Sequence, residues 1–198
     1  VILHTGKMSS REGKVILYDD TLNEMIEYAK KEIKEKWNKL NDRELNKRAK
    51  KIAMAATKYS MLSQDMKKTI VFDQEKALSF EGDTGPYLLY SYVRANSILK
   101  KAKKKIRVTE KEVTEKEFLL IKKISYFNEV IMKAGENMDP SLVANYLFDL
   151  SQLFNEFYHN SQVINSEREE FFLGLVEAFK NILGKGLYLL GIEAIEEM

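Results

Sequence analysis

Phe80-Glu81-Gly82-Asp83-Thr84-Gly85-Pro86-Tyr87-Leu88-Leu89-Tyr90 reads as a structured loop that turns into a helix. Asp83 or Thr84 offers the capping oxygen, and Pro86 sits in the first turn, where its missing amide proton would go unused. Behind it, Tyr87, Tyr90, Val93, Arg94, Ile98 and Leu99 return at helical spacing. A helix opened in this way at mid-chain sets the reading on either side.

Upstream, Asp19-Asp20 offers an N-cap, and Leu22, Met25, Ile26, Ala29, Ile33 and Trp37 form an apolar stripe after it. Leu45, Ala49, Ile52, Ala53 and Ala56 mark a second helix. Val15-Ile16-Leu17-Tyr18 and Ile70-Val71-Phe72 are extended runs too short to establish a sheet. Downstream, a fourth helix is expected after Thr114, with Phe118, Ile121, Ile124 and Phe127 on one face. A fifth opens at Asp139-Pro140 and reaches about Tyr158. A sixth runs from about Ser166 to Leu183, where Gly184 and Gly186 are expected to interrupt it, leaving a short final segment from Leu187 to Met198. The fold class is therefore all-α: a helical bundle over residues 19–198, preceded by a non-helical lead-in at 1–18.

Composition agrees and narrows the function. Nine glycines and two prolines in 198 residues suit long helices better than a turn-rich β architecture. The absence of cysteine excludes disulfides and thiolate metal sites. The two histidines, His4 and His159, are far apart, so no metal ligand set is expected. No apolar run is long enough to span a membrane and no signal peptide is legible, so a cytoplasmic, monomeric protein is expected. Charge is balanced overall but not along the chain. Six of the eight residues from Lys100 to Arg107 are basic, and residues 30–58 are lysine-rich. Glu167, Glu169, Glu170, Glu193, Glu196 and Glu197 compensate near the end. Such asymmetry suits an RNA backbone held against one face, although a lysine run is more often a solvated helix surface.

Lys7-Met8-Ser9-Ser10-Arg11 lies between Gly6 and Gly13. Two cations and two hydroxyls on a glycine-flanked loop suit a triphosphate whose leaving pyrophosphate gains charge during the reaction. The run resembles the Lys-Met-Ser-Lys-Ser signature of class I aminoacyl-tRNA synthetases, in the form seen in arginyl enzymes. Ser10 replaces the second lysine, so a lysine-based role at that position is excluded. Ala56-Thr57-Lys58-Tyr59-Ser60-Met61-Leu62-Ser63 is similar to the Lys-Tyr-x-x-Leu-Ser segment of arginyl-tRNA synthetases. Phe80 to Tyr90 resembles that family's Phe-Glu-Gly-Asn-Thr-Gly-Pro-Tyr-Leu-Gln-Tyr stretch, with Asp83 and Leu89 in place of Asn and Gln. Ala144 to Leu150, Phe154 to Tyr158, and Leu189 to Ala194 with the closing Met198 extend the resemblance through nearly the whole chain. The Asp-Ala-Leu-Arg tetrapeptide that names the domain class is not legible near Glu167 to Leu173.

The resemblance implies an anticodon-binding helical domain preceded by a short remnant of the catalytic region. It implies Lys7 as a catalytic group, with Lys7, Met8, Ser9, Ser10 and Arg11 at the ATP site. Tyr87, Tyr90, Arg94, Tyr158 and Met198 would approach the anticodon of tRNA(Arg). ATP with Mg2+ would serve the full-length enzyme, together with arginine, and this fragment would hold no cofactor tightly. No His-x-Gly-His motif occurs, and His4-Thr5-Gly6 is not one, so the chain is expected to be inactive alone. The rival readings are a helical RNA-binding or interaction module without a catalytic role, and another class I synthetase. A tyrosine at helical spacing is also commonly a core residue with a satisfied hydroxyl. Trp37 is expected in the core, and neither histidine attracts a function.

Overall fold

Side chains that accept backbone N–H groups decide where several of the helices begin. The computed structural model describes residues 2–3, 17–36, 40–102 and 112–198. Helix α1 spans Tyr18–Lys36, α2 Asp42–Leu62, α3 Gln74–Ala77, α4 Gly85–Lys101, α5 Glu115–Ser125, α6 Phe127–Asn137, α7 Ser141–Asn160 and α8 Glu169–Leu189. Among the described residues the only sheet joins β1 (Ile2–Leu3) to β2 (Val71–Phe72) in parallel, with Ile2 opposite Val71. Asn41 caps α2, Asp73 caps α3 and Thr84 caps α4, each side chain accepting a backbone N–H from the first turn. The choice left open between Asp83 and Thr84 thus resolves to Thr84. Asp19 and Asp20 lie inside the first turn of α1 rather than ahead of it, where they face the positive end of the helix dipole.

Helices α1 and α2 form a hairpin, α4 packs between α2 and α8, and α7 is covered by α4, α5, α6 and α8. The buried face of α7 is Val143, Ala144, Tyr146, Leu147, Leu150, Phe154 and Phe157. Phe154 stacks on Phe179 of α8 with ring centres 3.8 Å apart, and Phe157 meets Phe172 edge-on at 5.4 Å. These aromatics supply much of the apolar area that holds the bundle together.

Two expectations about the helices are corrected. The fourth helix divides at Tyr126 into α5 and α6, and of its expected inward face Ile121, Ile124 and Phe127 do pack against the core while Phe118 does not. Phe118 is exposed, while Leu120 and Glu117 are buried. Glu117 turns inward because two partners satisfy its charge. Its carboxylate accepts from Thr114 N at 2.9 Å, completing a capping box, and takes a two-point contact from Arg168 at 2.8 and 3.0 Å. Periodicity of apolar residues alone does not reveal a buried ion pair.

The sixth helix, α8, runs straight through Gly184 and Gly186. Both glycines keep helical dihedrals and serve close packing instead. A Cβ on Gly186 would lie 2.4 Å from a Leu147 methyl, and one on Gly184 would lie 3.1 Å from the Tyr92 ring. The helix stops at Gly191, whose φ of 66° is the left-handed turn that glycine adopts at little cost. Its N–H bonds Tyr188 O at 2.9 Å, and the Ile192 N–H bonds Leu187 O at 2.9 Å. Val15 and Ile16, the side chain of Trp37, and Lys103 to Arg107 lie outside the described residues.

Glycine substitutions separate these roles. Gly85→Ala would place a Cβ 2.3 Å from the Ala55 carbonyl oxygen, a backbone atom that cannot rotate away. It should lower stability by about 3 kcal/mol or more, at the upper end of overpacking costs. Gly135→Ala, in the open on α6, should raise stability by roughly 0.5–1 kcal/mol. Thermal melts of the two variants against the parent chain check both signs.

Candidate nucleic-acid interface

The loop before α4 is tied down from within and from below. Ser79 Oγ accepts from Glu81 N and donates to Glu81 O, while Thr84 Oγ1 donates to Ser79 O at 2.6 Å. Gly82, at φ 79°, makes the turn between them. Beneath the loop, the buried Tyr59 of α2 donates its hydroxyl to Asp83 Oδ1 at 2.5 Å, with Ala144 O of α7 at 3.2 Å. Burial, and after it the hydrogen bond to the Asp83 carboxylate, hold the Tyr59 phenol far above the ordinary tyrosine range.

Helix α4 then presents Tyr87, Tyr90 and Arg94 at one end of the bundle, facing the last turns of α7. The Arg94 guanidinium lies over two rings, 4.6 Å from the centre of Tyr90 and 5.0 Å from that of Tyr158. Its Nη2 donates to the Tyr90 hydroxyl at 2.8 Å and its Nη1 to Asn155 Oδ1 at 2.5 Å. Asn155 Nδ2 donates in turn to the Tyr87 hydroxyl and to Ser91 Oγ, both at 2.9 Å. Two grooves border this cluster. One, of about 700 Å³, is lined by Phe80, Glu81, Tyr87, Tyr90, Arg94 and Glu156 among others. The other, of about 640 Å³, is lined by Tyr90, Arg94, Tyr158, Lys101 and Met198 among others.

Met198 reaches the second groove because the chain after α8 is strapped across α2 and α4. Leu190, Ile192, Ile195 and Met198 turn inward and are buried. Asn96 of α4 donates to Glu196 O at 2.9 Å and accepts from Lys180 at 2.8 Å, and Lys58 Nζ donates to Gly191 O. The outward acids land on the basic residues of the helices below. Arg48 pairs with Glu197 at 3.3 Å, Lys51 with Glu193 at 2.5 Å and Lys100 with Glu196 at 3.2 Å. Basic side chains read from the sequence as a free surface for an RNA backbone are thus partly engaged within the molecule.

Residues 88–198 match the family described as the DALR anticodon binding domain. The chain belongs to this family. Residues 2–74 match a second description, the catalytic domain of class I (R) tRNA synthetases. Arginine–tRNA ligase of Clostridium beijerinckii is 39% identical over 197 residues, covering 97% of this chain and 35% of that protein. The solved arginyl-tRNA synthetase of Thermus thermophilus superposes with a TM-score of 0.90 at 32% identity, over 100% of this chain and 34% of that one. The arginyl-tRNA synthetase of Plasmodium falciparum gives 0.83 at 25% identity, over 93% of this chain and 34% of that one. The chain therefore spans about a third of the length of the relatives it matches.

Tyr87, Tyr90, Arg94, Tyr158 and Met198 gather around the two grooves, all but Tyr87 within the matched DALR residues. Lys7, Met8, Ser9, Ser10 and Arg11 lie outside the described residues. Sequence reasoning passed over Asn155 and His159. Asn155 is the hub of the polar network, and His159 lines both grooves. Helical spacing of 155, 158 and 159 along α7 is the signal that could have found them, since these positions share a face. Among the described residues no cluster of His, Cys, Asp and Glu could hold a metal ion, and no helix is long and apolar enough to cross a membrane.

The Tyr59 phenol gives the fold an alkaline limit. Unfolded, the group loses its proton near pH 10, whereas the folded group keeps it. Above that pH the unfolded state binds fewer protons, so stability falls as pH rises, by up to about 1.4 kcal/mol per pH unit for this one group. Melting temperatures measured from pH 8 to pH 11 should drop beyond pH 10, and Tyr59→Phe should flatten part of that drop.

Proposed function

We propose that this chain is the C-terminal part of an arginine–tRNA ligase. In this reading residues 19–198 bind the anticodon loop of tRNA(Arg), and residues 1–18 carry the signature loop of the ATP site. The observation that carries the reading is the Tyr90–Arg94–Tyr158 cluster bordering two open grooves, in a chain of the DALR family. Sequence-specific RNA recognition takes unpaired bases and stacks them on aromatic or guanidinium planes, which is the surface that α4 and α7 build together. The full-length enzyme would be a cytoplasmic monomer that joins arginine to its tRNA.

The signature loop contributes Lys7 and Arg11 as cations and Ser9 and Ser10 as hydroxyl donors. That donor set fits a polyphosphate, and Lys7 would neutralise charge growing on the departing pyrophosphate. ATP with Mg2+ supplies the activated phosphorus. Neither the arginine pocket nor the His-x-Gly-His motif is part of this chain, so its role in charging depends on the remainder of the enzyme.

Two substitutions in the full-length enzyme test the reading. Lys7→Ala should slow arginine activation by about a hundredfold or more while tRNA affinity stays near the parent value. Pyrophosphate exchange at saturating ATP measures the first, and filter binding the second. Tyr90→Ala should weaken tRNA(Arg) binding by roughly tenfold, as expected for one lost stacking partner. Binding of a tRNA with an exchanged anticodon should hardly change. A fall in melting temperature with unchanged discrimination between the two tRNAs would mark Tyr90 as packing alone and remove it from the recognition surface.

A further inference from the structure

Arg94 is a donor without acceptor capacity, and this fact orders every hydrogen around it. Asn155 meets Arg94 Nη1 with its oxygen, so its amide nitrogen must face the Tyr87 hydroxyl and Ser91 Oγ. Ser91 passes its own proton to Tyr87 O at 3.0 Å. The Tyr87 oxygen therefore accepts from Asn155, and the Tyr90 oxygen accepts from Arg94. Among the described residues neither phenol proton has an acceptor. Both tyrosines line the groove of about 700 Å³, as does Asn155, which is itself buried.

We propose that Asn155 is a positioning residue that sets the hydrogen-bond polarity of this groove, so that Tyr87 and Tyr90 meet the bound base as donors. The inference rests on the anticodon reading above and adds a rule to it. The part of a base edge that meets these two hydroxyls must offer acceptors, such as adjacent ring nitrogen and carbonyl oxygen atoms, because Arg94 beside them also only donates. The carboxylates of Glu81 and Glu156 line the same groove and can take an amino group elsewhere on the base. A base presenting an amino group at the same place would leave two donors facing a donor, and buried unpaired donors are costly.

Asn155→Asp reverses this polarity with little change of shape. The carboxylate still takes Arg94, and Ser91 and Tyr87 can both turn their protons toward it, so every buried group keeps a partner. The Tyr87 proton is then withdrawn from the groove. In the full-length enzyme, the ratio of affinities for tRNA(Arg) and for the same transcript with its anticodon exchanged should fall by roughly three- to tenfold, the range of one neutral hydrogen bond. Tyr87→Phe should lower the ratio by the same factor. The double variant should lower it no further, since both changes remove the same donor. The proposal is overturned if either single variant keeps the parent ratio, if the two losses multiply in full, or if Asn155→Asp lowers only the melting temperature. A parent enzyme that does not discriminate between the two transcripts would overturn the anticodon reading itself, which distinguishes that failure from this one.

Discussion

The closest constraint in the molecule is the approach of α4 to the backbone of α2 at Gly85. No side chain other than hydrogen fits there, because a Cβ would stand 2.3 Å from the Ala55 carbonyl oxygen. This contact, with Pro86 beside it and Thr84 capping, sets the entry of α4 into the bundle. Everything the candidate interface needs follows from that entry. Tyr87, Tyr90 and Arg94 occupy the next turns of the same helix, and their spacing becomes a surface only when α4 is rotated and seated as it is. The Tyr59 hydroxyl under Asp83 holds the preceding loop to the same place, so α2 supports both the helix and its lead-in.

The helices were legible because their signals are local. Thr84 announces the start of α4 through short-range acceptor chemistry, and apolar stripes at helical spacing mark the inward faces of α1 and α2. The misreadings share a different cause. Phe118 looked inward, yet it is Glu117 that turns in, because Arg168, 51 residues away, supplies a charge. Gly184 and Gly186 looked like breakers, yet Tyr92 and Leu147 need the space they leave. Both are decided by partners remote in sequence, which no window of periodicity contains. The site divides in the same way. Tyr87, Tyr90 and Arg94 could be grouped from spacing on one helix, and Tyr158 and Met198 from resemblance. The bridging place of Asn155 depends on how α4 and α7 face each other.

Charge tells a related story. The lysine-rich helices and the acidic tail looked like two surfaces, one for RNA and one for balance. The strap brings them together because its apolar residues, Ile192, Ile195 and Met198, are drawn into the core. Its acids then cannot avoid Arg48, Lys51 and Lys100. Exposed ion pairs of this kind contribute little to stability, commonly below about 1 kcal/mol each. Their larger effect is on the field that an approaching polyanion meets, since each paired cation attracts it less.

The placement of Arg94 over Tyr90 and Tyr158 has a consequence for how this surface binds. The guanidinium is already held over both rings before any ligand arrives, and the hydrogen bonds to Tyr90 and Asn155 keep it from rotating. A long arginine side chain is ordinarily among the most mobile on a protein, and immobilising it during association costs roughly 0.5–1.5 kcal/mol. Here folding has already imposed that order. Any flat partner entering either groove would meet a guanidinium already in place, so its arrival would require no ordering of this side chain.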